Sequence, residues 1–200
     1  MREIVPGIFM WSWLSEPHGY NFNGYLVHHP SGNICVDPVE PTPEALARIT
    51  SDGVKQILLT NRNHTRRANL IREKTGATVA IHPADAPYAV TQGTSIDTDL
   101  RTGDHVGPFK IVGVPGKSPG EVVLYWPERR LLIVGDAVIG NPPGQLSLLR
   151  EKVMDNPSHL RTSLRHLPTE DVEIVLPGDG EPILADGGAH LRELVATFVD

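Results

Sequence analysis

The densest group of chemically capable side chains is Thr60-Asn61-Arg62-Asn63-His64-Thr65-Arg66-Arg67, a polar loop that breaks off the apolar run Ile57-Leu58-Leu59. In an α/β protein the loop at the carboxyl end of a strand is where sites are usually built. Its amides, hydroxyls and guanidinium groups can hydrogen-bond and hold anions. They suit zinc badly: amide and hydroxyl oxygens are poor ligands beside imidazole or carboxylate, and a guanidinium has no lone pair to give. A second cluster, Gly116-Lys117-Ser118-Pro119-Gly120, has the letters Gly-x-Ser-x-Gly of a nucleophile elbow. That elbow takes an oxyanion donor from the backbone N–H after the serine, and Pro119 has none. The same letters imitate the end of a phosphate-binding loop, but position 111 is Ile where a glycine belongs, and Pro119-Gly120 would spoil the helix start that receives phosphate. Neither serine hydrolysis nor nucleotide binding is expected here.

The nine histidines offer little metal-binding geometry. His64 reads as an outward-facing or structural residue. His28 and His29 are neighbours on an extended run and point to opposite faces, and His18 and His105 stand in expected loops. The single Cys35 has no internal disulfide partner, and within Asn33-Ile34-Cys35-Val36-Asp37 it reads as a buried strand position.

Around the central loop, the order strand, helix, strand, helix fills the first half of the chain. Ile4 to Trp13 reads as a strand and Ser15 to Phe22 as a loop; Asn23 to His29 and Asn33 to Asp37 form a hairpin about Pro30-Ser31-Gly32. Thr42 caps a helix with Pro43 at its first position, ending at Thr50 before Gly53. Val54 to Leu59 is the strand feeding the loop, Arg66 to Lys74 a helix, Thr78 to Ile81 a strand and Ala84 to Val90 a helix. Short extended runs between Asp97 and Gly113 follow. Glu121 to Trp126 and Arg130 to Val134 make a second hairpin around Pro127-Glu128-Arg129. Pro157 to Leu167 is helical, Val172 to Leu176 extended, and Asp186 to Val199 a terminal amphipathic helix. Such a pattern fits two sheets packed together and covered by helices.

Composition sets the outer bounds. Two hundred residues at 40% hydrophobic content suit one domain, residues 1–200, with a sizeable core. A net charge of −6 argues against a nucleic-acid partner, which needs a basic face. No charged-then-apolar leader and no run of membrane-spanning length is visible, so no membrane association is expected and the expected location is cytoplasmic.

In order along the chain, four landmarks resemble the metallo-β-lactamase fold superfamily, whose signature is a strand ending in Thr followed by His-x-His-x-Asp-His. Asn61, Asn63, Thr65 and Arg66 stand at those ligand positions. Pro115-Gly116-Lys117-Ser118-Pro119-Gly120 resembles the family's Pro-Gly-His-Ser/Thr-Pro-Gly turn with Lys117 in the histidine's place. Leu132-Ile133-Val134-Gly135-Asp136 resembles the strand that carries the bridging carboxylate, and Leu176-Pro177-Gly178-Asp179-Gly180 the last ligand turn, with Asp179 for histidine. Asp37 matches the aspartate that the family places beneath the metal loop. The resemblance implies a four-layer αββα sandwich and, on its own, a hydrolase of an ester, thioester or amide.

At these positions Arg66 and Lys117 are cationic, Asp136 and Asp179 anionic, and Asn61, Asn63 and Thr65 neutral. The formal charges cancel, so the expectation is an internal ion-pair and amide network in place of zinc, since buried charges persist only when paired and hydrogen-bonded. No metal and no cofactor is expected, although Asp37, Asp136 and Asp179 would suit a hard cation if the two cations did not weaken it. The favoured role is a small-molecule or partner-binding protein. The alternative is a hydrolase working without metal or with an unusual one, its candidate catalytic residues Asp136, Lys117 and Asp179. Trp11, Trp13, Tyr20, Phe22, Leu146, Leu148 and Leu149 are candidates for an apolar wall over the pocket.

Overall fold

The apolar runs become strands that stack face to face. In the computed structural model, which describes residues 1–199, seven strands form one sheet in sequential order: β1 (Arg2–Val5), β2 (Ile8–Ser15), β3 (Tyr20–Val27), β4 (Ile34–Val36), β5 (Gln56–Leu59), β6 (Thr78–Ile81) and β7 (Thr98–Asp99). Its first four strands pair antiparallel, and β4 to β7 pair parallel. The second sheet has the order β12-β11-β10-β9-β8, from β8 (His105–Val106), β9 (Phe109–Gly113), β10 (Val122–Trp126), β11 (Leu131–Gly135) and β12 (Ile174–Pro177). Only β11 and β12 run parallel in it.

Three apolar layers hold this arrangement. Between the sheets lie Tyr25, Val36, Leu58, Phe109, Ile111, Leu124, Ile133 and Leu176, from both inner faces. The first sheet's outer face packs Ile57, Leu59 and Val79 on Ala45 and Ile49 of α1 (Pro43–Asp52), Ala68 and Ile71 of α2 (Ala68–Thr75) and Ala89 of α3 (Ala86–Thr91). The second sheet's outer face packs Val123, Leu132 and Val175 on Leu160 and Leu164 of α4 (Pro157–Arg165) and Leu191 of α5 (Gly187–Ala196). Strands with both faces covered read as continuous apolar runs, which is why Ile57-Leu58-Leu59 and Leu131-Leu132-Ile133-Val134 show no alternation. The result is the four-layer αββα sandwich.

Local signals set the helix starts. Thr42 accepts the Ala45 N–H at the head of α1 with Pro43 in the first turn, and Asn156 accepts the His159 N–H at the head of α4. Three sequence expectations need correction. Ile4 to Trp13 is two strands, because Gly7 at φ +76° turns the chain between β1 and β2. The expected loop from Ser15 to Phe22 shrinks to the turn between Ser15 and Tyr20, since Trp13 pairs with Phe22 and Ser15 with Tyr20 across β2 and β3; aromatic cross-strand pairs stabilise that extension. The last helix also stops earlier, at Ala196. Among the described residues no helix is long and apolar enough to cross a membrane.

Candidate functional site

The carboxyl ends of β4, β5, β11 and β12, joined by the turn after β9, meet at one edge of the sandwich. Backbone hydrogen bonds tie these ends together, both across the two sheets and within the second. The Val122 N–H donates to Thr60 O, Gly178 N–H to Gly135 O and Asn23 N–H to Gly178 O. Tyr25 donates its phenol proton to Pro177 O at 2.6 Å, and the Asn23 amide donates to Pro177 O and Gly180 O. Gly135, at φ +54°, is needed for this approach: a Cβ there would lie 2.3 Å from Thr60 Oγ1.

His64 is at the centre, fully buried, which removes the outward-facing reading. Its Nδ1 lies 2.9 Å from Asp37 Oδ2 and its Nε2 3.0 Å from Asp136 Oδ1. Asp37 is itself fixed by the Thr60 N–H at 2.8 Å and the Thr60 hydroxyl at 2.6 Å. Burial and the charge of Arg66 pull the His64 pKa down, but Asp136 and Asp37 pull harder and raise it to about 9. His64 is therefore an imidazolium at neutral pH, donating from both nitrogens.

Lys117 supplies the second cation. Its Nζ sits 3.0 Å from Asp136 Oδ2 and donates to Asn63 Oδ1 at 2.5 Å. Burial opposes its charge, but Asp136 and Glu121 outweigh that and raise its pKa. Asp136 thus carries a cation on each oxygen. Burial works against its ionisation, yet the His64 and Lys117 charges hold it well below the usual carboxylate range.

Glu121 lies beneath this chain. Its Oε1 accepts the Asp136 N–H at 2.9 Å and the Asn61 amide at 3.3 Å, while its buried Oε2 has no partner. Burial, and then the charge of Asp136, push its pKa up to about 8. A carboxyl with one oxygen left without a donor favours the neutral form, and Glu121 is mostly uncharged at pH 7. Asn61 also accepts the Asn63 N–H, closing the loop on itself.

Arg66 and Asp179 form a looser pair on the other side. Arg66 stacks over Phe22, 4.5 Å from the ring centroid, and its Nη2 is 3.5 Å from Asp179 Oδ1 without hydrogen-bond alignment. Arg66 Nη1 and Asp179 Oδ1 are buried without a hydrogen-bond partner. Burial, and then the charge of Asp136, raise the Asp179 pKa to about 7 against the opposing His64, Arg66 and Lys117. His64, Asp136 and Asp179 also offer one ligand atom each within 4.8 Å of one another, a spacing a metal ion would accept.

Of the residues singled out from sequence, Asn61, Asn63, Lys117, Asp136, Arg66, Asp179 and Asp37 converge here. Thr65 does not: its hydroxyl turns away and donates to Gln92 Oε1. Ser118 is buried and donates to Asp85 Oδ2 at 2.5 Å, so it is held in a structural bond. The expected aromatic wall divides. Tyr20, Leu148 and Leu149 line one cavity, Trp13 and Phe22 line another beside Arg66, and Trp11 and Leu146 are core residues. Sequence reasoning missed His64 and Glu121. His64 turns inward because its N–H bonds back to Asn61 O in a tight turn, and its being the one imidazole of the polar loop was the available signal.

A family model described as the metallo-beta-lactamase superfamily matches residues 2–198. The chain belongs to that superfamily. It is 29% identical over 131 residues to a hydroxyacylglutathione hydrolase of Cereibacter sphaeroides, a match that takes in 61% of this chain and 50% of that protein. The chain thus spans about half the length of the curated relatives it matches. A metallo-beta-lactamase from Pontibacter korlensis superposes with a TM-score of 0.78 at 18% identity, covering 98% of both chains. The FIM-1 metallo-beta-lactamase of Pseudomonas aeruginosa, solved in a mono-zinc form, superposes with a TM-score of 0.75 at 18% identity over 97% of this chain and 93% of its own. At such identities these two show the fold alone.

Proposed function

We propose that this protein is a member of the superfamily that has given up zinc and acts as a small-molecule binding protein in the cytoplasm. The observation that carries the reading is Lys117. Its ammonium contacts Asp136 Oδ2 at 3.0 Å, so the one carboxylate kept from the family's ligand set is already neutralised by a cation of the chain. The remaining donors fit zinc poorly. Asn61 and Asn63 are amides, Thr65 points away, and His64 has both nitrogens committed to carboxylates. A zinc ion taken up by His64, Asp136 and Asp179 would sit against Lys117 and the Arg66 guanidinium, and would need His64 deprotonated. The orphaned Arg66 Nη1 and Asp179 Oδ1 leave a donor and an acceptor for a polar ligand group. The negative net charge favours a small molecule over nucleic acid as that partner.

Metal content tests this reading: protein purified without chelator, then incubated with Zn²⁺, Mn²⁺ or Mg²⁺ and desalted, is expected to retain no stoichiometric metal. One or two tightly held equivalents would overturn it. A second reading, hydrolysis of an ester, thioester or amide, is favoured by the spacing of His64, Asp136 and Asp179 and by the name of the Cereibacter relative. It requires turnover that disappears in Asp136→Asn while the protein stays folded, whereas a binding protein shows ligand-dependent melting shifts without turnover.

A further inference from the structure

A cavity of about 470 Å³ opens between the β2–β3 turn and the segment 139–153, within the size range of small-molecule sites. Its charge is unlike that of the rest of the protein. The chain carries −6, yet no acidic residue lines this cavity while Arg150 and Lys152 both do. Glu151, between them in sequence, is turned to Arg161. Among the described residues neither the Arg150 nor the Lys152 side chain makes an ion pair or hydrogen bond, whereas Arg48, Arg72 and Arg101 are each paired with an aspartate. Two neighbouring uncompensated cations at a concave wall concentrate positive potential there.

The other walls add apolar and polar character. Pro17, Leu148, Leu149 and Val153 supply apolar surface, and Tyr20 adds its phenol ring. Backbone hydrogen bonds tie these walls to the turn that carries Asp179. Asn21 O, next to Tyr20, accepts the Gly180 N–H at 2.8 Å, and Gly140, between the lining residues Ile139 and Asn141, donates its N–H to Asp179 O at 2.9 Å.

We infer that this cavity binds an amphipathic anion, a carboxylate or phosphate monoester with an apolar tail, its acid group on Arg150 and Lys152 and its tail along Leu148, Leu149 and Val153. The inference rests on the reading of the protein as a small-molecule binder and names the ligand class and the residues that select it. Charge-assisted contacts from guanidinium and ammonium groups make the head group the larger determinant, and the buried tail adds to it.

Titration calorimetry tests it with decanoate and decyl phosphate, each below its micelle concentration, beside decanol as a neutral molecule of the same tail and acetate as an anion without one. Saturable one-to-one binding is expected for at least one of the two long anions, and which of them binds more tightly identifies the head group. Decanol and acetate should bind at least roughly tenfold more weakly. Arg150→Glu/Lys152→Glu should lose at least about tenfold in affinity for the long anion at an unchanged melting temperature, because both side chains are exposed and make no internal bond. Equal affinity for decanol, unchanged affinity in the double variant, or no saturable binding of either long anion overturns the inference. Equal decanol binding would leave the small-molecule reading standing. Metal content measured on the same preparation separates the remaining case: tightly held metal with charge-sensitive anion binding defeats the zinc-free reading and keeps the cavity assignment.

Discussion

Replacing Lys117 with methionine removes a buried cation while nearly conserving shape. In the parent, Lys117 Nζ serves Asp136 Oδ2 at 3.0 Å and Asn63 Oδ1 at 2.5 Å. The variant leaves Asp136 Oδ2 buried with no donor, and removing one partner of a buried pair costs about 3–5 kcal/mol. His64 still neutralises the other oxygen at 3.0 Å, which places the expected loss near the lower end, about 3 kcal/mol. For a chain of this length about 2–4 °C of melting temperature corresponds to each kcal/mol, so the midpoint should fall by about 6–12 °C. Calorimetric melts of the chelator-treated protein at pH 7 would measure it. The double variant Lys117→Met/Asp136→Asn should recover most of the loss, since no unpaired charge remains and His64 keeps Asp37. A Lys117→Met midpoint within about 2 °C of the parent, at most about 1 kcal/mol on this scale, would falsify the internal ion-pair account.

Two further outcomes concern pH. His64 has a folded pKa of about 9 against an ordinary 6.5, so its pairing stabilises the fold fully below pH 6.5 and is lost as pH rises through 9; from His64 alone the unfolding free energy measured in urea should fall by an amount on the order of 3 kcal/mol between pH 6 and pH 10, and a flat profile over that range refutes the imidazolium. Glu121 adds to the same slope, because an acid whose pKa is raised from 4.5 to about 8 withdraws stability as pH climbs between those values. Glu121→Gln, which keeps an acceptor for the Asp136 N–H, should therefore melt close to the parent at pH 5 and above it at pH 9. A variant less stable than the parent at pH 9 would show that the buried carboxylate is favourably held there and would refute the raised pKa.

The sequence by itself carried the fold and the addresses of the site. Unbroken apolar runs such as Leu131-Leu132-Ile133-Val134 mark doubly covered strands, Thr42-Pro43 and Asn156-Pro157 mark helix starts, and the glycines and prolines at 115–120, 135 and 177–180 mark the turns that bring Lys117, Asp136 and Asp179 together. Those features are local, so local letters suffice. Which side chains close the charge network was decided only in three dimensions. His64 and Thr65 are neighbours in one polar loop, and the backbone turn at Asn61 sends His64 between two carboxylates while Thr65 faces Gln92. Glu121 follows a turn glycine and looks like any surface acid, yet packing of β10 against the loop after β5 buries it under Asp136. Burial and pairing arise between residues from 15 to 113 positions apart in the chain, and those tertiary contacts, not the residue types, fix which groups are charged.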